Sequence, residues 1–333
     1  PAAPFNPQQM MQMMQMMQMM QMVQSGGGMD PSAQPFVTPQ ANDTTVDPGL
    51  EAEFVRPSKL GPLVREQKPL PFHDVLDRLC LRADGKALGG LPMGCTIAFA
   101  GPPGKGKTRT CLEGLLRVAY SGVPCLLVVA EEGFVDECDS GREPLVSRMA
   151  RIGMQLLEMS EDELKEKVLP QIWVLQAQYH KGQSWDDFIH RYRYAIERHK
   201  IKMVVIDSLN MLDPTKTRTA DHLSALKTYN HEHGVTCLTI GQIRDTGMPV
   251  GGEALMHTAD AVFLLEEMSM GSKEIGALWG ANYRDVITVL RAVKSVTTKV
   301  FPHPVRVTQD GARGTLSVHP QHPEAFALPE IDA

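Results

Sequence analysis

The stretch Gly101-Pro102-Pro103-Gly104-Lys105-Gly106-Lys107-Thr108 matches the phosphate-loop pattern G-x-x-x-x-G-K-[ST] at every specified position. It lies between an apolar run at 96–100 and a helical pattern at 108–120, the strand–loop–helix context that this motif requires. Its glycines let backbone N–H groups and the helix N-terminus point at phosphate oxygens. Lys107 would neutralise the β- and γ-phosphates, and the Thr108 hydroxyl would bind Mg²⁺. The sequence therefore predicts a site for ATP and Mg²⁺ formed by residues 101–108 and the adjoining Arg109.

Around this loop, apolar runs alternate with helical patterns. The runs are typical of short buried strands, and the patterns between them of amphipathic helices. Such alternation predicts an α/β domain with a mainly parallel, twisted sheet and helices on both faces. Apolar residues at 72, 75, 76 and 79 also predict a short helix that ends near Gly85. The predicted strands are 96–100, 125–130, 172–175, 203–206, 235–240 and 261–265, and the predicted longer helices are 108–120, 143–152, 184–200 and 220–233.

Composition bounds the class of protein and its domains. Of the 333 residues, 43% are hydrophobic and 22% charged, which excludes a wholly disordered chain. The net charge of −6 disfavours a protein that coats nucleic acid through its overall charge. Residues 8–24 are almost entirely Met and Gln, and a Pro-rich stretch follows. We expect a disordered tail and linker at 1–71, or alternatively an adaptable Met surface for a protein partner or membrane. One domain is expected at 72–320, with a short C-terminal tail at 321–333.

The six cysteines form no C-x-x-C pair and no cluster with zinc spacing, so reduced thiols are expected. The chain has no uncharged apolar stretch of 18 residues and no secretory signal. We therefore expect a cytoplasmic protein without a membrane span.

Acidic residues follow two of the predicted strands. Asp207 ends the run 203–206 and fits a Walker B strand, whose carboxylate helps to hold Mg²⁺. Glu131 and Glu132 follow the run 125–130, where a carboxylate can position and deprotonate the attacking water. Glu131 is the favoured base and Glu132 the second choice. The alternative is that both are solvated acids at a helix start.

Further motifs resemble the RecA-type ATPase core, which RecA, KaiC, DnaB-type helicases and bacterial RadA share. The segment 88–94 (LGGLPMG) resembles the entry to that core. The segments 144–153 (PLVSRMARIG) and 251–262 (GGEALMHTADAV), with Ile-Asp-Ser at 206–208, look closest to bacterial RadA. The resemblance covers roughly residues 72–310. It implies a RecA-like P-loop fold with a C-terminal β-hairpin, and ATP hydrolysis by a homo-oligomer, either a hexameric ring or a filament.

The resemblance also implies roles for single residues. Gln242 would be the polar sensor that reports the state of the γ-phosphate to a DNA-binding loop, although a surface amide at a strand end is the alternative. The loops 213–221 and 244–252 would face the pore or filament axis, and they carry Lys216, Arg218 and Arg244. Six copies would place about eighteen positive charges around single-stranded DNA. Neighbouring aspartates provide an alternative, in which these cations form an exposed charged surface.

Three departures from RadA qualify the resemblance. The chain lacks the four-cysteine zinc finger and the protease-like domain. The motif K-N-R-F-G is replaced by K-S-V-T-T from Lys294, so that Val296 stands at the arginine position. Lys294 or Arg291 would then reach the phosphate of a neighbouring subunit. The segment 133–142 (GFVDECDSGR) resembles an acidic insertion beside the catalytic glutamates.

Three functions remain open at this point. The favoured one is a DNA-stimulated ATPase of recombination, repair or replication. The second is a KaiC-like regulatory or assembly ATPase that controls a protein partner. The third is an inactive nucleotide-binding scaffold, since the arginine is lost.

Overall fold

A computed structural model describes residues 54–136, 138, 140–178, 184–212, 218–243 and 256–331. The chain divides into two units, Pro1–Val64 and Arg65–Ala333. In the first unit the described residues, 54–64, are exposed and contain one 3-10 turn, Pro57–Lys59. The Met/Gln-rich segment, for which disorder was predicted, lies outside the described residues.

The second unit is built on a nine-stranded sheet. The strand order is β13-β12-β10-β9-β4-β8-β7-β5-β6. Neighbours from β9 to β6 run parallel, whereas β10, β12 and β13 extend the sheet in antiparallel pairs. The strands are β1 (Pro69–Leu70), β2 (Cys80–Leu81), β3 (Leu91–Pro92), β4 (Thr96–Gly101), β5 (Cys125–Val129), β6 (Ile172–Gln176), β7 (Met203–Asp207), β8 (Thr236–Gln242), β9 (Ala261–Ser269), β10 (Val286–Ser295), β11 (Lys299–Val300), β12 (Val305–Gln309) and β13 (Leu316–Val318).

Helices flank this sheet, and its two faces bury separate apolar clusters. Leu115 belongs to one cluster and Tyr192 to the other. The described α-helices are α1 (Lys107–Tyr120), α2 (Leu145–Leu157), α3 (Glu161–Lys167), α4 (Trp185–His199), α5 (Thr219–His233) and α6 (Lys273–Leu278). The predicted α/β class is confirmed, with a mostly parallel sheet, helices on both faces and a C-terminal hairpin of β12 and β13. None of the helices in the described ranges has both the length and the apolar character needed to cross a membrane.

The helix predicted between residue 72 and Gly85 was wrong. Its apolar residues are buried as predicted, but the backbone forms only a 3-10 turn, Leu76–Arg78, before β2 begins. The Asp77 carboxylate accepts a hydrogen bond of 2.9 Å from the Phe72 N–H, and Cys80 pairs with Val300 of β11. Tertiary pairing therefore overrides a helical pattern that is too short to be stable alone.

Phe72 shows how closely this N-terminal segment packs on the nucleotide-loop helix. A Cβ on Gly114 of α1 would lie 2.2 Å from the Phe72 ring, so only glycine fits there. The segment thereby packs against the middle of α1. At the other side of α1, the carboxyl ends of β4, β5, β7 and β8 meet at one edge of the sheet, which is where α/β proteins bind ligands.

Candidate active site

The phosphate loop connects β4 to α1 at the carboxyl edge of the sheet. Gly104 and Gly106 have φ angles of +72° and +82°, a left-handed conformation that glycine adopts without strain. A Cβ at Gly101 would lie 2.5 Å from the Cβ of Leu265 on β9, so close packing also requires glycine at the end of β4. The loop therefore takes the shape that aims backbone N–H groups at a phosphate.

Lys107 is buried at the first position of α1. Its Nζ donates to the carbonyl oxygens of Gly101, at 2.8 Å, and Pro102, at 2.6 Å. Burial lowers the pKa of the Lys107 ammonium, and the Asp207 carboxylate opposes that shift. An anionic phosphate would supply stronger partners than two neutral carbonyls.

Thr108 and Asp207 meet across the phosphate loop. The Thr108 Oγ1 donates to Asp207 Oδ2 at 2.7 Å. Burial raises the pKa of the Asp207 carboxyl to about 6, and the charges of Glu131 and Glu132 act in the same direction. A nearby cation would stabilise the ionised form of Asp207, which burial and the neighbouring acids disfavour. Mg²⁺ takes one or two protein oxygens and fills its remaining positions with water and phosphate oxygens, so Thr108 and Asp207 fit it.

Glu131 lies beyond the end of β5 and faces the same cavity as Asp207. The Nε2 of Gln242, at the end of β8, donates to Glu131 Oε1 at 3.5 Å. The structure thus brings together the residues predicted as base and sensor. A carboxylate oriented by an amide in this way can accept a proton from a water placed between it and a phosphate.

Glu132 has different partners from Glu131. Its Oε2 accepts hydrogen bonds from the guanidinium groups of Arg142, at 3.0 Å, and Arg148 of α2. Glu132 is therefore paired with two arginines and is not free to face the phosphate loop as an unpaired carboxylate. Sequence reasoning did not identify either arginine.

A cavity of about 710 Å³ opens over the phosphate loop. The turn between β12 and β13 forms part of its lining with Gln309, Asp310, Gly311 and Gly314. The Gln309 Nε2 donates to the Gly104 carbonyl at 2.7 Å. Sequence reasoning missed this turn, and the Asp310-Gly311 pair was its one available signal, since Asp-Gly marks turns.

The remaining predicted nucleotide-binding residues have their own contacts. Arg109 lines the cavity and donates to the Arg313 carbonyl at 3.2 Å. Lys105 also lines the cavity, but its Nζ lies 2.6 Å from Glu267 of β9. This ion pair directs the Lys105 charge towards the sheet.

Three residues predicted to act on DNA or in a neighbouring subunit are described, and none of them lines the cavity: Arg218, Arg291 and Lys294. Lys216 and Arg244 are outside the described residues. Arg218 has an exposed side chain, 4.0 Å from Asp221. Lys294 Nζ donates to three carbonyls of its own chain, including His257 O at 2.7 Å, and Arg291 pairs with Glu266 at 3.3 Å.

Comparison with known proteins agrees with this fold. The family model described as "ATPase: KaiC" matches residues 74–312. Among solved structures, a KaiC-like protein of the hyperthermophilic archaeon Pyrococcus horikoshii has a similar fold, with a TM-score of 0.53 and 18% sequence identity. The similarity covers 77% of this chain and 100% of that chain. A search of curated proteins gives no match.

Proposed function

The chain belongs to the KaiC ATPase family, and from that premise we propose that it hydrolyses ATP with Mg²⁺ at the phosphate loop. One observation carries this proposal: a metal-binding pair, Thr108 and Asp207, and an oriented carboxylate, Glu131, line the same cavity as the loop. A scaffold that only binds nucleotide has no need of Glu131, because this carboxylate acts on the attacking water.

Each residue has a defined task in the proposed reaction. Lys107 exchanges its two carbonyl partners for phosphate oxygens and neutralises charge on the β- and γ-phosphates. Thr108 and Asp207 would hold Mg²⁺, which bridges phosphate oxygens and offsets their developing charge. Glu131 orients the attacking water and takes its proton, while Gln242 fixes the Glu131 carboxylate.

The test is ATP turnover by the purified full chain, compared with Lys107→Ala and Glu131→Gln. Both variants should lose at least about 100-fold in kcat, as expected for loss of a phosphate-binding cation or a general base. Only Glu131→Gln should keep nucleotide affinity, because its side chain contacts water and not phosphate. An unchanged kcat in Glu131→Gln would contradict the proposal and favour a scaffold.

We further propose that hydrolysis is coupled to single-stranded DNA in recombination, repair or replication. The support is the position of Gln242, which touches Glu131 and precedes the loop that contains Arg244. A strand bound to that loop would move Gln242 and so alter the orientation of the base. DNA should raise ATP turnover, and added salt should weaken DNA binding steeply. A turnover rate that DNA leaves unchanged at low salt would exclude this coupling.

A regulatory or assembly ATPase that controls a protein partner is the second candidate, and the family assignment favours it. Phe54 is exposed, and the proposed docking element consists of Phe54 and the Met/Gln segment that precedes it in the sequence. Removal of residues 1–64 leaves the second unit whole, including the pair of β1 and β3. Loss of partner recruitment with ATP turnover intact would favour this candidate over DNA coupling.

The proposed assembly is a homo-oligomer in which a cation reaches the phosphate of the neighbouring subunit. Arg291 is the better candidate for that cation, because its guanidinium is half-exposed and its ion pair among the described residues is with Glu266, which is itself partly exposed. Lys294 would first have to release three carbonyl oxygens of its own chain. Arg291→Ala should lower turnover at concentrations where the protein is assembled and leave monomeric nucleotide binding unchanged.

A further inference from the structure

Two arginines approach the candidate active site from the segment that follows Glu131 and Glu132. Arg142 ends the insertion at 133–142, and Arg148 lies in the first half of α2. Both guanidinium groups bind the same oxygen of Glu132, Arg142 at 3.0 Å. One carboxylate therefore faces two guanidinium groups, which leaves one net positive charge in this cluster.

The cluster borders the catalytic end of the nucleotide cavity. Arg148 lines the main cavity together with Lys107, Glu131 and Asp207. Glu132 and Arg142 line an adjoining cavity of about 350 Å³, whose other walls include Glu131 and Asp207. Because Glu131 marks where the attacking water must lie, the excess positive charge is next to the position of the terminal phosphate.

We propose that Arg148 binds the terminal phosphate of the nucleotide in cis and that Glu132 is its positioning residue. This inference rests on the proposed ATP site. Arg148 is the better held of the two arginines, with 19% of its side chain exposed against 71% for Arg142. Glu132 keeps one nitrogen of the Arg148 guanidinium while the others donate to the phosphate, and Arg142 is the second counter-ion of Glu132. The insertion thus has a task in the site, which is to keep that carboxylate paired.

A cis arginine is what phosphoryl transfer at this site needs. Charge spreads over the three equatorial oxygens of the transferred group, and a planar guanidinium can bind two of them at once. Lys294 cannot readily supply this charge, because its Nζ donates to three carbonyls of its own chain. Arg148 supplies the missing charge from within the same subunit.

The test compares Arg148→Ala with Arg151→Ala in the full chain. Arg151 lies on the same helix, is more than half exposed and pairs with Glu143 at 2.6 Å, outside the cavity lining. Arg148→Ala should lower kcat by about 1,000-fold, the low end of what an arginine that stabilises phosphoryl transfer contributes. Its affinity for a non-hydrolysable ATP analogue should fall about tenfold while ADP affinity stays within about twofold, because ADP lacks the group that is bound. Arg151→Ala should match the unmodified protein in all three measurements.

Glu132→Gln and Arg148→Lys complete the test. Glu132→Gln keeps an acceptor oxygen but loses the charge that holds Arg148, so kcat should fall about tenfold with little change in KM. Arg148→Lys keeps the charge and loses the planar fork, and it serves if the alanine variant does not fold. Equal loss of ATP and ADP affinity in either Arg148 variant, or unchanged turnover, would overturn the proposal. Absence of ATP binding by the unmodified protein would instead refute the proposed function itself.

Discussion

The Thr108 hydroxyl donates a hydrogen bond of 2.7 Å to the Asp207 carboxylate, although 99 positions separate the two residues in the sequence. This contact joins the phosphate loop to the end of β7. The two oxygens are therefore already adjacent, and a cation that binds both has little ordering entropy to overcome.

Thr108→Val should uncouple this pair while it preserves the shape of the side chain. We expect turnover to fall at least about tenfold and to require a higher Mg²⁺ concentration, because one protein oxygen is lost from the metal site. Turnover measured across a Mg²⁺ titration checks this. Thr108→Ser retains the hydroxyl and should behave like the unmodified protein. An unchanged Mg²⁺ midpoint in the valine variant would show that Thr108 does not contact the metal.

Gln242→Ala should slow the chemical step and leave binding alone. The Gln242 amide contacts Glu131 at 3.5 Å, so its removal frees the carboxylate to rotate away from the water. We expect kcat to fall about tenfold and KM to stay within about twofold. The double variant Gln242→Ala with Glu131→Gln should be no slower than Glu131→Gln alone, because both residues act through the same water. Additive losses would mean that Gln242 has a separate role.

Gln309→Glu should weaken nucleotide binding without a change in fold. Glutamate has nearly the same size, but it cannot donate to the Gly104 carbonyl and places a negative charge 2.7 Å from it. The apparent KM for ATP should rise about fivefold to tenfold, the equivalent of one hydrogen bond, while kcat stays constant. Gln309→Ala should give a smaller rise. Calorimetric titration with ADP provides the independent check, and equal affinities in all three proteins would contradict the role of the turn.

A feature of this site could be predicted from the sequence when its residues lie close together in the chain or at the ends of predicted strands. The phosphate loop, Asp207 and Glu131 were predictable because a contiguous motif and the ends of parallel strands define one sheet edge. The contact from Gln309 to Gly104 spans 205 positions and depends on the order in which β9, β10, β12 and β13 extend the sheet. Neither periodicity nor spacing encodes that order.

The arginine cluster around Glu132 escaped prediction for a related reason. Arg148 occupies a position of α2 that the sequence marks only as helical, and its direction depends on how α2 docks on the sheet. The prediction for the segment after residue 72 failed for a different reason. The burial of Phe72 was predicted correctly, but the helical backbone was not correct. A short apolar pattern fixes which side chains are buried more firmly than it fixes a helix.

Two buried groups beneath α1, His73 and Asp77, should change the free energy of unfolding with pH in opposite directions. Burial lowers the pKa of His73 to about 4 and raises the pKa of Asp77 to about 7. Between about pH 4 and 6.5 the folded state keeps His73 neutral and Asp77 protonated, whereas the unfolded chain carries both charges. The histidine thus favours folding as pH rises from about 4 to 6.5, and the aspartate disfavours folding as pH rises from about 4 to 7. In the native protein the two effects largely cancel.

Single substitutions should reveal the pH dependence of stability that each of the two groups contributes. Relative to the unmodified protein, Asp77→Asn should gain unfolding free energy as pH rises across this interval, and His73→Gln should lose it. Each slope should approach about 1.4 kcal/mol per pH unit, the value for one proton. Urea denaturation at several pH values between 4.5 and 6.5 measures both. Parallel profiles in all three proteins would mean that neither group is shifted.

The turn between β12 and β13 lines the nucleotide cavity, so the cavity is complete only after this late part of the chain has been synthesised. Residues 101–108 are translated about two hundred codons before Gln309 and Gly314. A nascent or truncated chain can therefore hold a complete Walker motif and still lack one side of its nucleotide cavity. Ligand affinity consequently reports that the late-synthesised antiparallel strands have joined the sheet, so ATP stabilises finished molecules in preference to fragments.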